Sequence, residues 1–350
     1  MCAAITDIAK SSLRIPMVFY YIIEIMNRKM KVCTIGGGTA MPILNKALIK
    51  AGFVNISSIV TTFDSGGYTG RIRTDERGRV LAFSDYWRSL MSLWPDGKQR
   101  EIWEDMLRYR DGRGRNFGDI FFQFLSEKEG NLGEVDELFE KLTGAHLQGE
   151  VIPVSLSPSN VCFRTITGKE YYGENFIDDL RMSLDKIDDI WLKPQVQANK
   201  KAMEVLEEAD LIIVGPGTTY GSVLPNFLPT GMIESYKKSK AKKIFLVNIF
   251  SMANEAKEST QEGYVDIFAK CLNMPKPFDL VVLADLSVLN KELLEKIFYF
   301  YKLENATLVK KAESDKYETI VADIAGIEEK NMRLRHCEEK LANFLSDLEI

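Results

Sequence analysis

The chain has 350 residues, 45% hydrophobic and 27% charged, with 45 basic against 50 acidic side chains and a formal net charge of −5. This composition excludes a long disordered segment, and the acidic balance argues against a general nucleic-acid binder, which would carry a basic stripe. The five cysteines, Cys2, Cys33, Cys162, Cys271 and Cys337, show no spacing for a zinc site or a disulfide framework and read as reduced thiols.

Residues 15–26 are apolar, but a membrane span needs roughly 20 such residues, and this stretch contains Glu24. It also lacks the small-residue cleavage site of a signal peptide. Residues 1–29 are therefore expected to be an N-terminal extension or the product of an upstream start. Residues 30–350 are expected to form a single cytoplasmic α/β domain without membrane contact. Residues 31–35 form a short apolar run that ends in Gly36, Gly37 and Gly38, the pattern of a buried strand entering a glycine turn. Pro42 suits the first turn of a helix reaching Lys50. Residues 56–62 give a second strand, which completes a strand–helix–strand crossover.

A glycine-rich segment, 63–73, follows, and 79–83 reads as a short strand. From about 85 to 145 the pattern is helical, interrupted by turns, and too long for one crossover helix. It predicts a helical insertion whose apolar helices offer a surface for a homodimer. Strands are expected at 151–156, 161–166 and 186–193, and a helix at 199–208. Residues 210–214 give another buried strand, ending in Gly215, Pro216 and Gly217. Further units follow: helix 232–239, strand 243–247, helix 264–272, strand 280–284, helix 291–301 and helix 337–348. Strands alternating with helices predict a Rossmann-like, doubly wound, mainly parallel sheet. The two histidines, His146 and His336, read as surface or capping residues, so a histidine-based triad is not expected.

Three loops carry the chemistry. In the first, Gly36, Gly37, Gly38 and Thr39 join a strand to a helix, where free backbone N–H groups bind phosphate. A tight turn without ligand is the competing reading, although three consecutive glycines exceed what a turn needs. The dinucleotide fingerprint asks for a third glycine where Met41 stands, and the Walker pattern is absent. The second loop holds Asp64, Ser65, Gly66, Gly67, Thr69, Gly70, Arg71 and Arg73. Its glycines allow close backbone approach, and its arginines suit a phosphate or carboxylate. Asp64 suits a ribose hydroxyl or Mg2+. The third loop offers Gly215, Pro216, Gly217, Thr218, Thr219 and Ser222, then Asn226, with hydroxyls placed beside glycine N–H groups. Asn248, at the end of the next strand, is a candidate contact to a base or sugar. Asp64, Asp85 and Arg71 are the candidates for any catalytic role.

These residues resemble the CofD-like superfamily and, within it, the YvcK branch of gluconeogenesis factors. The branch opens with Gly-Gly-Gly-Thr-Gly, which here runs from Gly36 to Ala40. Its Asp-Asp-Gly-Gly-Ser-Ser-Gly-Arg-Leu-Arg is matched by the segment from Asp64 to Arg73. Its Gly-Pro-Gly-Ser-Leu-Tyr-Thr-Ser is matched by Gly215 to Ser222, followed by Pro225 and Asn226, and its C-terminal Arg-His motif by Arg335 and His336. The family's Pro-Gly-Asp-Ile-Arg-Asn becomes a segment that keeps Asp85 and displaces the arginine to Arg88, and its Gly-His-x-x-Gly-Asn becomes Gly114 to Asp119, without the histidine. The resemblance implies a regulator of central carbon and cell-envelope metabolism that binds a nucleotide-sugar of the UDP type. Its alternative is a magnesium-dependent transferase that moves phospholactate onto a deazaflavin in coenzyme F420 assembly. In that case Asp64, alone or joined by Asp85, would hold the metal, and Arg71 or Arg73 would clamp the transferred phosphate.

Overall fold

The computed structural model describes residues 29–65, 69, 81–129, 134–180, 185–252 and 256–348. The chain opens with β1 (Lys31–Gly36), α1 (Met41–Lys50) and β2 (Asn55–Val60). Four helices follow: α2 (Ser84–Leu93), α3 (Lys98–Arg108), α4 (Phe117–Glu129) and α5 (Val135–Thr143). They are the expected helical insertion. Residues 81–83, expected to lie in a strand, instead form the irregular lead into α2, with residues 79–80 outside the described set.

β3 (Glu150–Pro153) returns to the sheet beside β2. β4 (Asn160–Thr165), β5 (Glu170–Tyr172) and β6 (Ile187–Lys193) instead form a separate antiparallel sheet of order β5-β4-β6. The second half begins with α6 (Lys200–Glu208) and β7 (Leu211–Val214), then α7 (Met232–Lys238), β8 (Lys242–Leu246), β9 (Phe250–Ser251), α8 (Gln261–Leu272) and β10 (Leu280–Ala284). It ends with α9 (Lys291–Leu303), β11 (Thr307–Leu308), β12 (Glu318–Ala322), the hairpin β13 (Ala325–Glu328) and β14 (Arg333–His336), and α10 (Glu338–Ser346).

The main sheet has the order β12-β10-β8-β7-β1-β2-β3, and every pairing in it is parallel. The architecture is the expected Rossmann-like α/β fold. Helices cover both faces, so successive strand residues are all buried but serve different layers. In β7, Leu211 and Ile213 pack with α1 and α10, whereas Ile212 and Val214 pack with α6 and α8. This is why the strand reads as a continuous apolar run. No described helix is long and apolar enough to cross a membrane. The described cysteines are free thiols.

Two further readings change. β12 was not foreseen: it is an edge strand whose side chains are largely half-exposed, so it lacks the apolar signature of its neighbours. His336, expected at the surface, is buried at the end of β14. Burial pushes its imidazole down to about 4 despite a hydrogen bond with the Val247 backbone.

Candidate functional site

From β1 the strand order runs outward through β2 and β3. It then returns to β7, on the other side of β1, and proceeds through β8, β10 and β12. The reversal therefore lies between β1 and β7, and open α/β sheets bind ligands in the crevice beyond the carboxyl ends of the strands at such a point. The first and third glycine loops are the segments that leave those two ends.

The two loops are fastened together. Asn226 is fully buried and its amide nitrogen donates to the carbonyls of Gly36 (3.1 Å), Ser222 (2.8 Å) and Val223 (3.2 Å). Asn248 brackets Gly217, accepting from its N–H at 3.1 Å and donating to its carbonyl at 2.7 Å. Both asparagines, proposed from sequence as ligand contacts, thus hold loop backbone. Gly215 needs to be glycine: its φ is +74°, and a β-carbon there would lie 2.9 Å from Leu246 O. At Gly217 a β-carbon would press on Val223 Cγ2 at 3.2 Å and Gly37 O at 3.4 Å.

Thr39 and Thr218 are exposed and Ser222 is half-buried. The Thr218 hydroxyl donates to Ser222 Oγ at 2.8 Å. Thr219 and Pro216 are buried instead, in the turn beneath. Of the second loop, Asp64, Ser65 and Thr69 are described, whereas Gly66, Gly67, Gly70, Arg71 and Arg73 lie outside the described residues.

Acidic side chains gather beside these loops, and two of them, Asp119 and Glu174, were not singled out from sequence as site residues. Asp64 accepts from Ser84 Oγ at 2.7 Å. Asp85 is buried under the first loop, where it accepts from the Gly38 N–H and would collide with any β-carbon on Gly37. A carboxylate thus already occupies part of the expected anion cradle. Burial, then the charge of Asp64, pushes Asp85 up to about 6, against the opposing pull of Arg88. Asp119 receives hydrogen bonds from Thr69 Oγ1 (3.0 Å) and Trp87 Nε1 (3.1 Å), and burial still raises it. Glu174 lies between the second and third loops. It accepts from the Ser65 N–H at 3.4 Å, and a β-carbon on Gly221 would come within 3.0 Å of its Oε1. Burial, then Asp64, pushes it up to about 8. Glu174 sits in no glycine motif, so no local pattern marks it. Asp119 lies in the segment that corresponds to the family's Gly-Asn.

The donor set fits a magnesium ion in one way. Among the described residues, no three His, Cys, Asp or Glu side chains are placed to hold a metal unaided. Mg2+, however, commonly takes one or two carboxylates and completes its shell with substrate phosphates and water. Asp64, whose charge raises Asp85, Asp119 and Glu174 alike, is the residue that fits this arrangement.

Beside the third loop a cavity of about 240 Å3 opens over the carboxyl ends of β8, β10 and β12, bounded by Asn248, Leu283, Leu308 and Lys310. Among the described residues three cavities are larger: one of about 280 Å3 is bordered by Thr39 of the first loop, Trp87 and Arg88, and two of about 440 and 470 Å3 lie elsewhere. One is between β6 and α8, the other at the opposite edge of the sheet by Lys31 and Asn55. The cavity between β6 and α8 is bordered by Tyr220 of the third loop and the other by no glycine loop, so size alone does not locate the site.

Comparison with known proteins gives the family and the fold. The family model described as 2-phospho-L-lactate transferase CofD matches residues 32–332. A putative gluconeogenesis factor of Aquifex aeolicus is 32% identical over 282 residues, covering 76% of this chain and 79% of that protein. The gluconeogenesis factor of Listeria monocytogenes is 30% identical over 323 residues, covering 91% and 95%. The crystal structure of Bacillus halodurans BH3568, a member of the UPF0052 family, superposes with a TM-score of 0.79 at 24% identity, covering 91% of this chain and 99% of that one, and shows the shared fold. With a family model spanning nearly the whole described fold and relatives matched along most of their length, the chain belongs to the CofD family and, within it, to the gluconeogenesis factors.

Proposed function

We propose that this chain binds a nucleotide-sugar of the UDP type in the crevice between β1 and β7 and acts as a cytoplasmic regulator of central carbon and cell-envelope metabolism. One observation carries the reading: two glycine loops leave the sheet on either side of the strand-order reversal and are braced to each other through Asn226. Backbone N–H groups and the hydroxyls of Thr39, Thr218 and Ser222 supply phosphate donors. The neighbouring cavity bounded by Asn248 and Leu283 supplies a mainly apolar wall for a base. The names of the relatives support the regulatory side of the reading.

A second reading has its own observation in its favour. The carboxyls around Asp64 suit a phosphoryl-transfer site in which Asp64 would hold Mg2+, which would supply positive charge against the transferred group. It corresponds to a phospholactyl transferase acting on a deazaflavin.

Thermal denaturation separates the two. A ligand at about 100 times its dissociation constant adds roughly 2.7 kcal/mol to stability. A UDP-sugar should raise the melting temperature without metal and yield no product. Stabilisation only by GDP with deazaflavin and Mg2+, followed by transfer of phospholactate to the deazaflavin once a guanylyl donor carrying that group replaces GDP, would replace the first reading with the second.

A further inference from the structure

A cavity adjoins each of the two braced glycine loops, and the two cavities differ in character. The one at Asn248, beside the third loop, is walled mainly by apolar side chains such as Leu283 and Leu308. The one at Thr39, beside the first loop, has a volume of about 280 Å3 and lies between α1, α2, α3 and the start of α10. Its walls carry both signs of charge, and these charges are paired. Glu104 offers one carboxylate oxygen to Arg100 at 2.9 Å and the other to Arg108 at 2.7 Å. Arg100 Nε also donates to Met91 O at 2.9 Å, which ties α3 to the end of α2. Glu338 lies 2.8 Å from Lys50. Arg88 stands 3.7 Å from Asp85, and Lys46 stands 3.9 Å from Asp96.

We propose that this cavity receives the sugar of the nucleotide-sugar, and that the sugar is an uncharged hexose; the inference rests on the binding reading above and deepens it. The first loop sets the place. A diphosphate held by the backbone N–H groups at the start of α1 lies beside Thr39, and Thr39 is on the rim of this cavity. A base, with its planar faces, belongs with the apolar walls at Asn248, which leaves the polar cavity for the hydroxyl-rich end of the ligand. Charge sets the class. A further anionic group would call for an unpaired cation, whereas Lys46, Arg88, Arg100 and Arg108 each have a carboxylate between 2.7 and 3.9 Å away. A sugar hydroxyl both donates and accepts. Carboxylates and cations already held in place by each other offer it acceptors and donors at fixed positions. Hydrogen bonds to such ionised groups are roughly twice as strong as neutral ones. Both signs of charge in one cavity, balanced against each other, therefore suit a neutral ring with several hydroxyls better than an acidic sugar.

Titration calorimetry of the full chain with UDP, UDP-glucose, UDP-N-acetylglucosamine and UDP-glucuronic acid tests the proposal. The better of the two neutral UDP-sugars should bind about tenfold more tightly than UDP, and UDP-glucuronic acid no more tightly than UDP. Lys46→Met on α1 and Glu104→Gln on α3 should each remove most of that advantage while leaving the affinity for UDP within about twofold, which also shows that the variant is folded. The two variants lie on different helices, so misfolding of one leaves the other as the test. If neither UDP nor a UDP-sugar binds the unaltered chain, the binding reading fails and this inference with it. If the neutral UDP-sugars bind but keep their advantage over UDP in both variants, or if UDP-glucuronic acid binds most tightly, the binding reading stands and the assignment of this cavity is overturned.

Discussion

Asn226 uses one amide nitrogen to hold three carbonyls from two loops, so its loss reaches beyond its own position. Asn226→Ala should destabilise the fold by about 1–3 kcal/mol, because buried carbonyls lose their donor. Equilibrium urea unfolding would measure this, and a loss within error of zero would show that the loops are braced by other means. Gly217→Val adds methyl groups where even a β-carbon is tight against Val223 and Gly37. It should lower affinity for a UDP-sugar at least tenfold by calorimetry, which corresponds to about 1.4 kcal/mol. Unchanged affinity would remove the third loop from the site. These glycines were legible in sequence because each follows an apolar strand. The roles of the asparagines were not: a side chain that braces backbone and one that contacts ligand look alike until the partners are seen.

Elements were legible in proportion to their burial. β10 and β7 read cleanly, since a parallel strand covered on both faces is an apolar run bounded by polar residues. β12 was missed because its edge position leaves Glu318 and Val321 facing solvent. β4 and β6 were seen as strands, but their separate antiparallel sheet was not, because pairing partners leave no local mark. α6 shows how an element is fixed at its end. Asn199 Oδ1 accepts from the Lys201 N–H at 3.1 Å, and its amide donates to Pro153 O at 3.0 Å, which ties the helix to the end of β3. Asn199→Ala should therefore cost about 1–2 kcal/mol through the lost cap, read as a lower urea midpoint at constant slope.

For the whole molecule, buried ionisable groups set how stability follows pH. A carboxyl whose folded value exceeds its unfolded one contributes stability at low pH and loses it as the pH rises through the folded value. Glu174, from 4.5 to about 8, and Asp85 and Asp136, from 3.8 to about 6, are of this kind. His336, lowered from 6.5 to about 4, acts in the opposite sense, and its contribution is lost as the pH falls through that window. Above pH 6.5 the carboxyls, and Glu174 foremost, dominate. The melting temperature should fall as the pH approaches 8, and Glu174→Gln should flatten that fall. An identical slope in the variant would show that Glu174 does not titrate there. The brace at Asn226 has one more consequence. It is contributed 190 residues after Gly36, so a ribosome releases the first loop long before its support exists. A chain still in synthesis has both motifs of its early half and no finished crevice until β7 and the turn beyond it have emerged.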